Sequence, residues 1–187
     1  FRGSATPPSK VLPGEPPFTT RPELKGIFGM VASTHWLGTA AGMSVLEKGG
    51  NAFDAAVATA LTLQVVEPSM AGPGGDAPII LYDAKSDDVK VICGQGVAPA
   101  KATVDAYRHL GLDIVPGAGL LPLVVPGAFG AFMLLLRDWG TMSVRDVLEP
   151  AIGHARNGYP IGARVVATIE ALKGLFVEHW PSSAAVY

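Results

Sequence analysis

The sequence predicts an α+β fold. Three observations carry that expectation: two consecutive apolar helical stretches punctuated by glycine across residues 38–66, two runs with strand periodicity at 77–84 and 88–94, and a helical remainder from residue 101 onward.

With 187 residues, 49 % hydrophobic and 16 % charged, the chain can bury a substantial core and is too apolar to stay disordered. The formal charge of -2 leaves no basic face able to neutralise a row of phosphates, so a nucleic-acid partner is not expected. The longest apolar stretch, residues 52–66, is interrupted by Asp54 and Gln64 and falls short of a membrane span, so no membrane partner is expected either. A single cysteine, Cys93, cannot form an internal disulfide, and a cytoplasmic and a periplasmic or secreted location both remain compatible. The chain stops on an apolar stretch, "HWPSSAAVY", and is expected to be a fragment or one piece of a processed precursor.

Residues 1–25 are rich in proline, which lacks an amide donor and restricts the residue before it, so an extended arm is expected ahead of a domain over 26–187. "GIFGMVAS", residues 26–33, is short, apolar and bounded by glycine, as a buried strand would be. A helix over 38–48 places Leu37, Ala41, Val45 and Leu46 on one side and stops at Gly49 and Gly50, where glycine tolerates a left-handed cap. Asn51 then caps a second helix with Asp54 three residues on, and "AAVATALTLQVV" is apolar around nearly its whole circumference, so it must be covered on most sides. "APIILYDA" and "DVKVICG", joined by the polar "KSDD", read as a hairpin. "KATVDAYRHLG" reads as a short amphipathic helix, "GLLPLVVPG" as a buried extended link, and residues 127–139 as an apolar helix. Ser143 with Asp146 opens a further helix that ends at Gly158, and "ARVVATIEALKGLFVEHW" forms the last.

The glycine cluster in "MAGPGGDAPIILYDA", residues 70–84, is not a dinucleotide fingerprint. That motif needs a strand before its glycines and a helix after them; here the order is reversed, Pro73 removes an amide, and no P-loop lysine follows. Two readings remain: a helix-to-strand turn in which glycine accepts positive φ or close approach, and half of a site completed elsewhere. His35, His109, His154 and His179 are scattered without ligand spacing, so neither a metal nor a cofactor is expected. Cys93, with no basic neighbour in sequence to lower its pKa, reads as a small core hydrophobe.

The succession of the GMVAS segment, the helix ending in EKGGNAFDAAVA, the VVEP corner, the GPGGD turn, the LYDAKS hairpin, the APAKAT helix start, VPGAFGAF and DWGTMSVRDVLEPAIGHARNGYP resembles the start of the large subunit of γ-glutamyltransferases. The resemblance implies an N-terminal-nucleophile hydrolase with a four-layer αββα sandwich and an added helical region. It also implies a precursor that cuts itself once, so that the exposed N-terminal threonine of the small subunit becomes the nucleophile. A threonine hydroxyl is weak at its free pKa, and its own α-amine can act as the general base. Neither Thr19, Thr20 nor Thr34 stands at such a junction, so no catalytic residue is expected in this chain. Its partners would be the rest of the large subunit, the small subunit carrying the threonine, and a small acyl amide such as glutathione.

In the family, an arginine shortly before the AP of the helix start grips the α-carboxylate of the γ-glutamyl group. Here "ICGQGVAPAKAT" puts Gln95 at that place. A neutral amide can bond a carboxylate without neutralising it, which favours the glutaryl-type cephalosporin acylases of the same scaffold as the enzymatic alternative. An inactive binding homologue is the non-enzymatic one. The expected substrate-binding residues are Gln95, Gly74, Gly75 and Asp76; Asp76 could line the acyl pocket or cap the turn, and Asp54 is expected only to serve a helix end.

Overall fold

A computed structural model describes residues 23–117 and 119–187. The arm expected over 1–25 falls almost wholly outside the described residues.

The first helix, α1 (Trp36–Glu47), begins two residues earlier than the sequence predicts, because the His35 ring accepts from the Leu37 N–H at 3.2 Å and caps it. It ends at Gly49, whose φ of 91° is the expected left-handed turn. Helix α2 (Ala52–Val66) opens with a full capping box: Asn51 Oδ1 accepts from the Phe53 and Asp54 amides, and the Asp54 carboxylate accepts from the Asn51 amide. Packing of α1 on α2 is close, for a Cβ at Gly42 would lie 2.1 Å from Thr59 Oγ1. Helices α4 (Ala128–Trp139) and α5 (Val144–Asn157) complete the cover of α2, as its all-round apolarity demands. Val45, Val57, Leu61, Phe132, Leu135 and Val147 form the centre of the core. Ser143 and Asp146 cap α5 reciprocally, and Gly158 closes it at φ 82°.

Strands β1 (Ala77–Asp83) and β2 (Asp88–Gly94) pair antiparallel from Ala77 opposite Gly94 to Asp83 opposite Asp88. Leu81 and Ile92 turn inward to α4 and the core, while Ile80, Tyr82, Val89 and Val91 stand exposed on the other face. A sheet apolar on both faces is one built to be covered on both. Helix α3 (Val104–His109) is capped by Thr103. Helix α6 (Ala163–His179) lies against the single turn α7 (Pro181–Ala184), and neither buries a residue among the described ones.

Three expectations are corrected. Residues 26–33 are not a strand: a strand needs a ladder partner, none of the described residues offers one, and Ile27, Phe28 and Met30 stand exposed. Residues 119–127 are non-helical as expected but not buried, with Leu120 84 % exposed; Val125 N–H bonding Val97 O at 2.9 Å and Tyr107 Oη donating to Leu121 O at 2.6 Å are what hold them. Cys93 is exposed, not core, because strand alternation turns Ile92 inward and its neighbour outward.

Thr62 on α2 is fully buried, and its hydroxyl finds no hydrogen-bond partner among the described residues. Thr62→Val keeps the branched shape and removes that unpaired group, so stability should rise by about 1 kcal/mol. A higher urea midpoint checks this, and a lower one would mean that the hydroxyl has a partner in the whole protein.

Candidate functional site

The four residues expected to bind substrate meet at one end of the hairpin. Ala77 pairs with Gly94, so Asp76 and Gln95 follow as the next opposed positions, just beyond the ladder at its open end. Both are exposed.

The glycine turn lies beside them. The Gly75 amide donates to Gly72 O at 3.0 Å, closing the turn, and the Gly75 carbonyl accepts from the amides of Gly127 and Ala128 at 3.3 and 3.2 Å. These are the first amides of α4, which has no side-chain cap. Gly75 O therefore takes two of the amides at the positive end of α4. Positive φ plays no part, since neither Gly74 nor Gly75 is left-handed; the turn half of the earlier reading holds only as close approach, with a Cβ on Gly75 falling 3.1 Å from Gly72 O. Around Gly74 there is open space.

Two glycines that the sequence reading passed over bind the corner together. A Cβ on Gly127 would lie 2.4 Å from Gly94 O and 2.6 Å from the Gly96 nitrogen, so the start of α4 and the end of β2 touch backbone to backbone. Gly96 is left-handed at φ 76°, and a Cβ there would sit 1.9 Å from Val125 O. The signal available in sequence was the GQG triplet flanking Gln95 and the PG before α4. Both look like ordinary turn punctuation until the contacts are known.

Gln95 thus projects from a fixed backbone. Its Oε1 accepts from Cys93 Sγ at 3.7 Å, and its Nε2 makes no hydrogen bond among the described residues. Thr34, tempting by sequence, donates its hydroxyl to the Glu67 carboxylate, and its nitrogen is a mid-chain amide without a base's lone pair. Thr19 and Thr20 lie outside the described residues.

Two buried or half-buried carboxylates lie at the opposite end of α4 from this corner. Asp54 is fully buried and accepts from Thr141 Oγ1 at 2.6 Å, Asn51 N at 2.8 Å, Thr141 N at 3.0 Å and Met142 N at 3.2 Å. Burial pushes its pKa up, and the hydrogen bonds from Thr141, Asn51 and Met142 outweigh it, so the carboxyl titrates below the ordinary range. Asp83, at the far end of β1, accepts from Trp139 Nε1 at 3.1 Å and pairs with Lys90 at 3.2 Å. The indole bond, the Lys85 amide and Lys90 hold it well below the usual carboxylate range. Asp54 does more than the expected helix-end duty: it ties α2 to the turn between α4 and α5.

The sequence model of the γ-glutamyltranspeptidase family matches residues 38–187. The chain is 42 % identical over 135 residues to the glutathione hydrolase-like YwrD proenzyme of Bacillus subtilis, a match covering 72 % of this chain and 25 % of that protein. Among solved structures it is similar to LmbA2991, with a TM-score of 0.87 and 56 % identity over 91 % of this chain and 29 % of that one. It is also similar to the cephalosporin acylase of Bacillus halodurans, with a TM-score of 0.75 and 32 % identity over 90 % of this chain and 32 % of that one. The chain spans about a quarter of the length of the curated relatives it matches.

Proposed function

Because the chain belongs to the γ-glutamyltranspeptidase family, we propose that it is the large-subunit portion of an amidohydrolase that cleaves γ-glutamyl or similar acyl amides. The nucleophile is the N-terminal threonine of a small subunit outside this chain. Its hydroxyl attacks the acyl carbonyl, its α-amine takes the hydroxyl proton and returns it to the departing amine, and the acyl-enzyme passes to water or to a second amine. The observation that carries the reading is the convergence of Gly75, Asp76 and Gln95 on one open corner whose backbone is locked by Gly96 and Gly127. There Gln95 and the turn glycines shape the acyl pocket, with Asp76 beside them.

The finer architecture follows in the same way. The hairpin carries helices on one face and bare apolar residues on the other, which fits one half of a four-layer αββα sandwich whose second sheet comes from the rest of the protein.

Denaturing mass analysis of the full gene product tests the reading: two fragments, the smaller beginning with threonine, are expected. A single uncut polypeptide would leave the inactive binding homologue.

Gln95 favours the glutaryl-acylase alternative for the acyl group. A charge-assisted contact exceeds a neutral hydrogen bond by about 1 kcal/mol or more, so a γ-glutamyl anilide should be cleaved more slowly than the glutaryl anilide, which lacks the α-amino and α-carboxylate groups. Gln95→Arg should raise the glutamyl-to-glutaryl ratio of kcat/KM about 10-fold. A strong glutamyl preference in the unaltered protein, with little gain from arginine, would overturn this assignment.

A further inference from the structure

By sequence Asp76 has two readings, a wall of the acyl pocket or a cap on the glycine turn. The turn closes without it, through the Gly75 amide on Gly72 O at 3.0 Å, and the Asp76 carboxylate makes neither an ion pair nor a hydrogen bond among the described residues. Strand alternation places Asp76 on the face that carries exposed Ile80, and places Gln95 on that same face with Cys93. Opposed side chains at such positions have Cβ atoms about 5 Å apart, so the two can touch one small group between them. Their chemistry is complementary. Asp76 offers acceptors only, whereas Gln95 has its Oε1 engaged by Cys93 Sγ and its Nε2 donors without a partner among the described residues. None of Gly74, Gly75, Gln95, Gly96 and Gly127, which meet Asp76 at this corner, is cationic.

We propose that Asp76 sets the charge accepted at the far end of the acyl group, taking an uncharged carboxamide and turning away a carboxylate. This rests on the amide-cleaving reading above, which puts the far end of the acyl group at Gln95, and adds the chemical class of that end. A carboxamide presents its carbonyl to Gln95 Nε2 and its N–H to Asp76, so both side chains are bonded. A carboxylate presents only acceptors, and its charge meets that of Asp76 with no cation at the corner to offset it. An ammonium suits Asp76 alone, because it faces the Gln95 donors with another donor.

The test uses the full gene product and three anilides that share a five-carbon acyl chain and end in a carboxamide, a carboxylate or an ammonium. The carboxamide should be cleaved fastest. The kcat/KM ratio, carboxamide over carboxylate, should fall about 10-fold in Asp76→Asn relative to the unaltered protein and be kept in Asp76→Glu. A ratio that Asp76→Asn leaves unchanged overturns the proposal, and an ammonium compound cleaved fastest overturns the carboxamide assignment. Calorimetry with pentanamide and pentanoate gives a readout that does not depend on turnover: the amide should bind about 10-fold more tightly than the acid, with the gap lost in Asp76→Asn and kept in Asp76→Glu. If no anilide is cleaved, the amide-cleaving reading fails and the binding pair alone decides Asp76. A gap that survives in Asp76→Asn, or no binding of either compound, then refutes it.

Discussion

Gly96→Ala should lower the stability of the full gene product by about 3 kcal/mol and cut amide cleavage with it. Two costs add. A left-handed alanine forfeits about 1 kcal/mol relative to glycine at φ 76°. Its Cβ would also sit 1.9 Å from Val125 O, and a backbone carbonyl yields only if the segment moves. Moving it breaks the bond from Val125 to Val97 and frees the corner on which Gln95 stands. Gly130→Ala is the control, since a Cβ there in the first turn of α4 meets no atom of another segment within 4 Å, and it should leave stability unchanged or raise it by up to about 0.5 kcal/mol. Thermal unfolding midpoints of the two variants, read beside the parent, decide the matter: a Gly96→Ala midpoint level with the parent's would show that the corner is not locked.

How much of this was legible beforehand depends on the range of the interaction. Asn51 with Asp54, and Ser143 with Asp146, act within one turn of chain, so both helix starts could be read from spacing alone. Gly49 and Gly158 ended their helices for an equally local reason. The hairpin was readable as a hairpin, but its inward face was not: Val89, Val91 and Cys93 are as apolar as Ile92, so both phases of the alternation looked buriable. Apolarity in residues 26–33 and 119–127 marks surface that burial would favour, but it does not say what the partner is, and these residues do not cover each other. The candidate site was half visible. Its residues came from family resemblance and its turn from glycine chemistry, whereas the meeting of Gly75 with Gly127 spans more than fifty positions and leaves no periodic trace.

The same distinction governs Asp54, whose near partner is three residues away and whose far ones are 87 and 88. Asp54→Ala strips the acceptor from the Thr141 hydroxyl and from the amides of Asn51, Thr141 and Met142, which converge on a carboxylate that solvent does not reach. Orphaned donors there should cost about 3 kcal/mol at neutral pH. Asp54→Asn, which keeps one oxygen but turns an amide donor toward other donors, should fall between. The pH dependence separates this from simple loss of packing. A carboxyl held below its ordinary range in the folded protein lends stability above its unfolded pKa, near 4, and that contribution drains away as pH falls through the lower folded value. Asp83, depressed as well, is present in parent and variant and cancels from the difference. The gap in urea midpoint between parent and Asp54→Ala should therefore be full at pH 7 and narrow steadily below about pH 4. A gap that stays constant across that range would assign the loss to the cavity rather than to the charge, and would remove the carboxylate as the tie between α2 and the turn after α4.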